Sequence, residues 1–164
     1  NKNNKKMTAE ILNLVTLFIL GIAYLVLMSK FNITLTSKFI KEKNTAGYIL
    51  YAAVLIASAI YLVQTADIAS SANRYFMRTN LYSSALLYSC AFFILSFICS
   101  IFLILSSFFV SSMLTSESEK DELANNNIEL AIMHGVILIS LALITHQGFS
   151  TIITSFIPFQ DMPY

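Results

Sequence analysis

An all-α integral membrane protein of four helices, built from two parallel two-helix repeats with amphipathic segments at the interface, is the fold this sequence predicts. Three observations predict it. Residues 11–29, 44–66, 79–116 and 130–160 carry no charged side chain, and an uninterrupted apolar-rich run of about 18 residues or more marks a bilayer-spanning helix. Hydrophobic residues make up 57% of the 164 and charged ones 12%, against roughly 45–50% and 25% in a soluble domain. Sliding the chain by 83 residues lays 44–64 on 127–147 and matches Asn44 with Asn127, Ile49 with Ile132, Leu55 with Leu138, Ile56 with Ile139, Ala59 with Ala142 and Gln64 with Gln147. A two-helix unit repeated in the same direction gives both halves one orientation in the membrane.

The elements follow in order. Residues 1–10 form a polar basic tail with Lys2, Lys5 and Lys6. The first span covers Ile11 to Ser29, and the stems of Lys30 and Lys38 beyond it reach back to the interface. The second span opens at Asn44, whose side chain is suited to cap the free amides of a helix start, and ends near Gln64. Between 65 and 80, Ile68, Ala72, Tyr75 and Phe76 recur at helical spacing among Asp67, Asn73, Arg74 and Arg78. That amphipathic stretch is assigned to the membrane surface and completes a first repeat over 11–80.

The second repeat covers 81–160. Its first run, Leu81 to Leu114, is about 51 Å long as a helix at 1.5 Å per residue, against a hydrocarbon core of about 30 Å, so it must tilt, kink or protrude. The serine pairs Ser106-Ser107 and Ser111-Ser112 point to a C-terminal half that leaves the lipid or packs on another helix. An acidic loop from Glu117 to Asn127 follows. The fourth span starts at Asn127, with Glu129 favourably placed at the positive amino end, and runs to Gln147. Gly148 interrupts it, and Phe149, Ile152, Ile153, Phe156 and Ile157 then form a second interfacial segment stopped by Pro158. Residues 161–164 are a short tail.

Basic residues leave the orientation undecided. Lys2, Lys5, Lys6, Arg74 and Arg78 fall on one side of a four-span topology, and Lys30, Lys38, Lys41, Lys43 and Lys120 on the other. The chain opens on Asn1 rather than Met, which leaves an upstream segment or a processing event open. The first run is too long for a cleaved signal peptide, and no small-x-small site follows it.

The stretch Ile40-Lys41-Glu42-Lys43-Asn44-Thr45-Ala46, a charged turn ending in Asn-Thr-Ala at a helix start, resembles the hallmark of the bacterial membrane family catalogued as domain of unknown function 350. Its second copy reads Asn125-Asn126-Asn127-Ile128-Glu129-Leu130-Ala131, keeping the Asn and replacing Thr-Ala by Ile-Glu. The ending Phe156-Ile157-Pro158-Phe159 is similar to the Ile-Pro-aromatic close of some members. The resemblance covers roughly residues 11–160 and implies four helices in two halves and a bacterial inner membrane. It implies no activity. An organellar membrane stays open, since the Lys and Asn of the tail also suit an A/T-rich genome.

No catalytic constellation is present in the sequence: a nucleophile needs a base that a third group orients, and the chain holds two histidines. No cofactor or metal is expected, because Cys90 and Cys99 lack CxxC spacing and read as free thiols in an apolar run. A net charge of +1 gives no basic patch for nucleic acid. The candidate polar pathway is His134, Gln64, Gln147 and Asp67. An intramembrane ionisable group such as His134 is a functional candidate by default, against the plainer reading of a neutral imidazole bonded to a serine or carbonyl between helices. The plainer readings of Gln64, Gln147 and Asp67 are interfacial amides and an interfacial ion pair with Arg74 or Arg78. Helix caps are Asn44 and Asn127; Ala53, Ala57, Ser96 and Ser100 are close-packing positions. Phe92, Phe93, Phe97, Phe102, Phe108 and Phe109 surround the third span and face lipid, core or a partner.

The expected function is a non-enzymatic membrane subunit that oligomerises or supports a larger membrane complex, with the bilayer and other subunits or copies of itself as partners. The alternative is a small oligomeric channel or transporter with a polar path near His134. Convergence of the polar residues on one wet axis favours the channel, and dispersal among packed interfaces favours the subunit.

Overall fold

The computed structural model describes residues 2–37, 44–79, 81–114 and 119–156. These form α1 (Lys2–Ser37), α2 (Thr45–Arg78), α3 (Tyr82–Leu114), a short α4 (Glu119–Ala124) and α5 (Ile128–Ser155). The four long helices each contain a stretch long and apolar enough to cross a membrane. α2 is central and packs on α1, α3 and α5, most extensively on α5.

The four long helices alternate in direction along the chain. α1 and α3 run one way and α2 and α5 the other, so α2 and α5 are parallel neighbours. Their amino ends meet at what we call the cap end, where the Asn44 amide donates to the carbonyl of Leu123, a residue of α4, at 2.6 Å. At the opposite, hairpin end, α2 ends at Arg78 and α3 begins at Tyr82. There the Leu81 amide returns to the Phe76 carbonyl at 2.8 Å, and the Thr79 hydroxyl donates to the same carbonyl at 3.0 Å. Phe76 stacks on Tyr88 across the turn with ring centroids 4.8 Å apart.

α2 and α5 approach closely because their facing residues are small. A Cβ added at Gly135 would lie 3.0 Å from the Cβ of Ala53, and Ala46, Ala53, Ala57, Ala131 and Ala142 are all buried in the bundle. Lipid tails are as apolar as leucine, so close van der Waals packing, which small residues permit, takes the place of a hydrophobic drive.

Several expected boundaries are corrected. The tail 1–10 is not separate: from Lys2 it belongs to α1, which also continues past Lys30 to Ser37. Residues 65–78 do not lie on the membrane surface but continue α2, because Ile68, Ala69, Ala72 and Phe76 bury themselves against neighbouring helices rather than in headgroups. Gly148 does not interrupt the last span. α5 runs through it to Ser155, with Phe149 and Ile153 buried and the Phe149 ring edge-on to Tyr61 at 4.7 Å. Within the acidic loop, 119–124 are helical. The third run is one helix of 33 residues, about 50 Å long, which exceeds the hydrocarbon core of about 30 Å. Residues 40–43 of the charged turn, the Ile157 to Phe159 ending and the 161–164 tail lie outside the described residues.

Candidate functional site: a buried polar ladder

Polar side chains bridge the helices at successive depths. Nearest the hairpin end, the Asn73 amide donates to Asn13 Oδ1 at 2.9 Å, the Asn13 amide donates to Ser70 Oγ at 3.2 Å, and the Ser89 hydroxyl donates to Asn73 Oδ1 at 2.9 Å. This rung joins α1, α2 and α3, with Asn13, Asn73 and Ser89 buried. At mid-depth the Tyr24 hydroxyl lies 2.6 Å from Ser100 Oγ and donates to the Ser58 carbonyl at 3.4 Å, joining the same three helices. Closer to the cap end, Ser29 Oγ and the Tyr51 hydroxyl are 2.6 Å apart, and the Asn32 amide donates to the Tyr51 carbonyl at 3.2 Å.

The α3 side of the ladder has a simple sequence origin. Ser89, Ser96, Ser100, Ser107 and Ser111 are all buried, and at 100° per residue their spacing of seven, four, seven and four places them within about 60° of one face. Serine suits that face because it is small enough for close helix approach and supplies a hydroxyl for a neighbour.

His134 sits on the α5 side of this column. It is 1% exposed, its Nε2 is 3.5 Å from Ser107 Oγ at the outer limit of a hydrogen bond, and its ring is 4.2 Å from that of Phe108. It is thus a packed histidine facing a serine between α3 and α5. The other candidate path residues do not join it. Gln64 is half-buried, and Asp67 and Gln147 are exposed; Gln147 is 13 residues along α5 from His134, about 20 Å of helix rise. No hydrogen bond joins Gln64 to Gln147 and no ion pair joins Asp67 to Arg74 among the described residues. His146 is half-buried with Nδ1 against the Leu143 carbonyl at 2.5 Å.

The cap end closes with a second polar cluster. Asn44 Oδ1 accepts from the Gly47 amide at 3.2 Å, while its own amide donates to the end of α4 at Leu123. Asn127 Oδ1 accepts from the Leu130 amide at 3.0 Å, and its amide donates to Glu122 Oε2 at 2.8 Å. Both therefore cap helix starts as predicted from sequence. Between them Asn126 adopts a left-handed backbone, φ 66°, a conformation Asn tolerates better than most residues, and its Oδ1 accepts the Ala46 amide at 3.0 Å.

The close-packing positions Ala53, Ala57, Ser96 and Ser100 are buried as expected. Phe92 and Phe93 are core residues, whereas Phe102 and Phe109 project outward. Cys90 and Cys99 are free and half-buried. Among the described residues no group of three His, Cys, Asp or Glu is placed to hold a metal. Sequence reasoning missed Asn13, Tyr24, Asn32, Ser58 and Asn73 as bundle-facing groups. The readable signal was Asn13 and Asn32 at the two ends of the first span, on the same side of the helix as Tyr24.

Among curated proteins and among solved structures, none matches the chain. The family described as Domain of Unknown Function (DUF350) matches residues 6–149, which include the first three spans, most of the fourth, the ladder and both asparagine caps, and the chain belongs to that family.

Proposed function

We propose that the protein is a non-enzymatic integral membrane subunit that assembles with copies of itself or with other membrane proteins, in a bacterial inner membrane. One observation carries this reading: Asn13, Tyr24, Asn32 and Asn73 bond across to neighbouring helices at several depths, and the four candidate path residues do not meet. A conducting path needs polar groups converging on one wet axis. Interhelical bonds instead hold the spans in register and leave large outward faces, such as Phe18, Ile19 and Leu14 of α1, available to lipid or partners.

Within that reading the chain is two parallel two-helix repeats. Its support is that α2 and α5 start from neighbouring asparagine caps and run the same way. The buried faces correspond at a shift of 81 rather than 83: Leu50, Ala57, Tyr61, Ile68 and Ala72 lie 81 positions before Ala131, Leu138, Ala142, Phe149 and Ile153, all buried. The difference of two residues is about 200° of helix rotation. The halves therefore share cap and direction while packing through different faces.

The test is the mass of the assembly extracted in mild detergent, by native mass spectrometry. An integer multiple of 18.3 kDa, or a mass that includes a second polypeptide, is the expected result. A lone chain overturns it. In liposomes, His134→Ala is expected to leave ion flux unchanged; a changed flux with unchanged assembly would replace the subunit by a channel.

A further inference from the structure

We propose that the lateral groove between α3 and α5 is a binding site for one acyl chain of a bilayer phospholipid. The groove encloses about 620 Å³, within the roughly 300–1,000 Å³ of ordinary small-ligand sites. Ile98 and Phe102 of α3 form one wall, Ile144 and Ile152 of α5 the other, and Tyr61 of α2 the floor. The four wall side chains are largely exposed at the outside of the bundle and lie in membrane-spanning segments, so the mouth opens to lipid.

The chemistry of the lining selects the occupant. No charged side chain contributes to it. Its three hydroxyls are already engaged: Tyr61 with Thr145, Thr145 with the Leu141 carbonyl at 2.6 Å, and Ser106 with the Phe102 carbonyl at 2.8 Å. A headgroup finds no countercharge there and no donor beyond the weak Cys99 thiol, whereas a methylene chain needs neither and gains dispersion contact along both walls. The headgroup of the bound lipid therefore stays outside the groove.

Gly148 keeps the α5 wall open. A Cβ at Gly135 would crowd Ala53, whereas one at Gly148, as at Gly21 of α1, would meet no atom within 4 Å, and at Gly148 the space left belongs to the groove.

The test fills the groove from each wall. The full chain is extracted in mild detergent and examined by native mass spectrometry as wild type, Gly148→Leu and Ser106→Leu, with Leu143→Ala, an exposed residue outside the groove, as control. The expected result is one retained adduct of phospholipid mass per chain in the wild type and the control, lost in both filled variants with no fall in helicity or melting temperature. No adduct in the wild type, or an adduct that survives both substitutions, overturns the proposal. So does an adduct of isoprenoid mass in its place, or loss of a second polypeptide copy as the effect of filling.

Discussion

Asn44 satisfies two helix termini at once, and its two side-chain atoms separate the roles. Oδ1 accepts the Gly47 amide at the start of α2, while Nδ2 donates to the Leu123 carbonyl at the end of α4. Asn44→Asp keeps the first bond and loses the second; Asn44→Ala loses both. Loss of an N-cap costs about 0.5–2 kcal/mol, so Ala is expected to lower the melting temperature more than Asp, read by circular dichroism in detergent. The rung of Asn13, Asn73 and Ser89 behaves as a unit. A single interhelical hydrogen bond in a membrane is worth about 0.6 kcal/mol on average, up to about 1.7. Asn73→Leu alone strands its bonded neighbours Asn13 and Ser89 and is expected to exceed that average. The double substitution with Asn13→Leu is expected to cost less than the sum of the singles in a double-mutant cycle. The two glycines of α5 are predicted to diverge. Gly135→Leu drives a side chain into Ala53, and overpacking costs about 1–3 kcal/mol, whereas Gly148→Leu projects into open space and is expected not to lower the melting temperature.

At the scale of elements, α1 and α2 are held by different physics. Among the described side chains of α1 the buried ones are Asn13, Tyr24, Met28 and Asn32, so hydrogen bonds rather than small-residue contact fasten it to its neighbours. Its apolar window is 17% buried, against 44% for that of α2. We expect α1 to be the first span to lose protection in hydrogen exchange followed by mass spectrometry in micelles, and the combination Tyr24→Phe with Asn32→Leu to quicken its exchange while leaving α5 unchanged. Equal protection of α1 and α2 would contradict that order. The amphipathic ends of α2 and α5 illustrate a second lesson. A stripe of apolar residues beside polar ones reads identically whether the apolar side meets a membrane surface or a neighbouring helix. Ile68 and Ala72 meet neighbouring helices, and the exposed Asp67, Ser71 and Arg74 then extend with α2 beyond the apolar run.

For the whole molecule, the sequence by itself determined the number of spans, the all-α class, the membrane setting and the two asparagine caps. The reason is that each is local: a span is a length of uncharged chain set against the thickness of hydrocarbon, and a cap is a side chain bonding amides two or three positions away. Helix ends, the ladder and the fate of the candidate path residues were decided only by the tertiary structure. Ser70 and Asn73 lie 57 and 60 positions beyond the Asn13 they bond, and Ser89 lies 16 beyond Asn73, so no local pattern along one helix shows these bonds. Nor does spacing along α5 reveal that His134 turns toward Ser107 while Gln147 turns outward. Such pairings depend on how the helices rotate and approach one another. In a bilayer that choice is made by close packing and interhelical hydrogen bonds, since hydrophobicity scarcely distinguishes one apolar face from another.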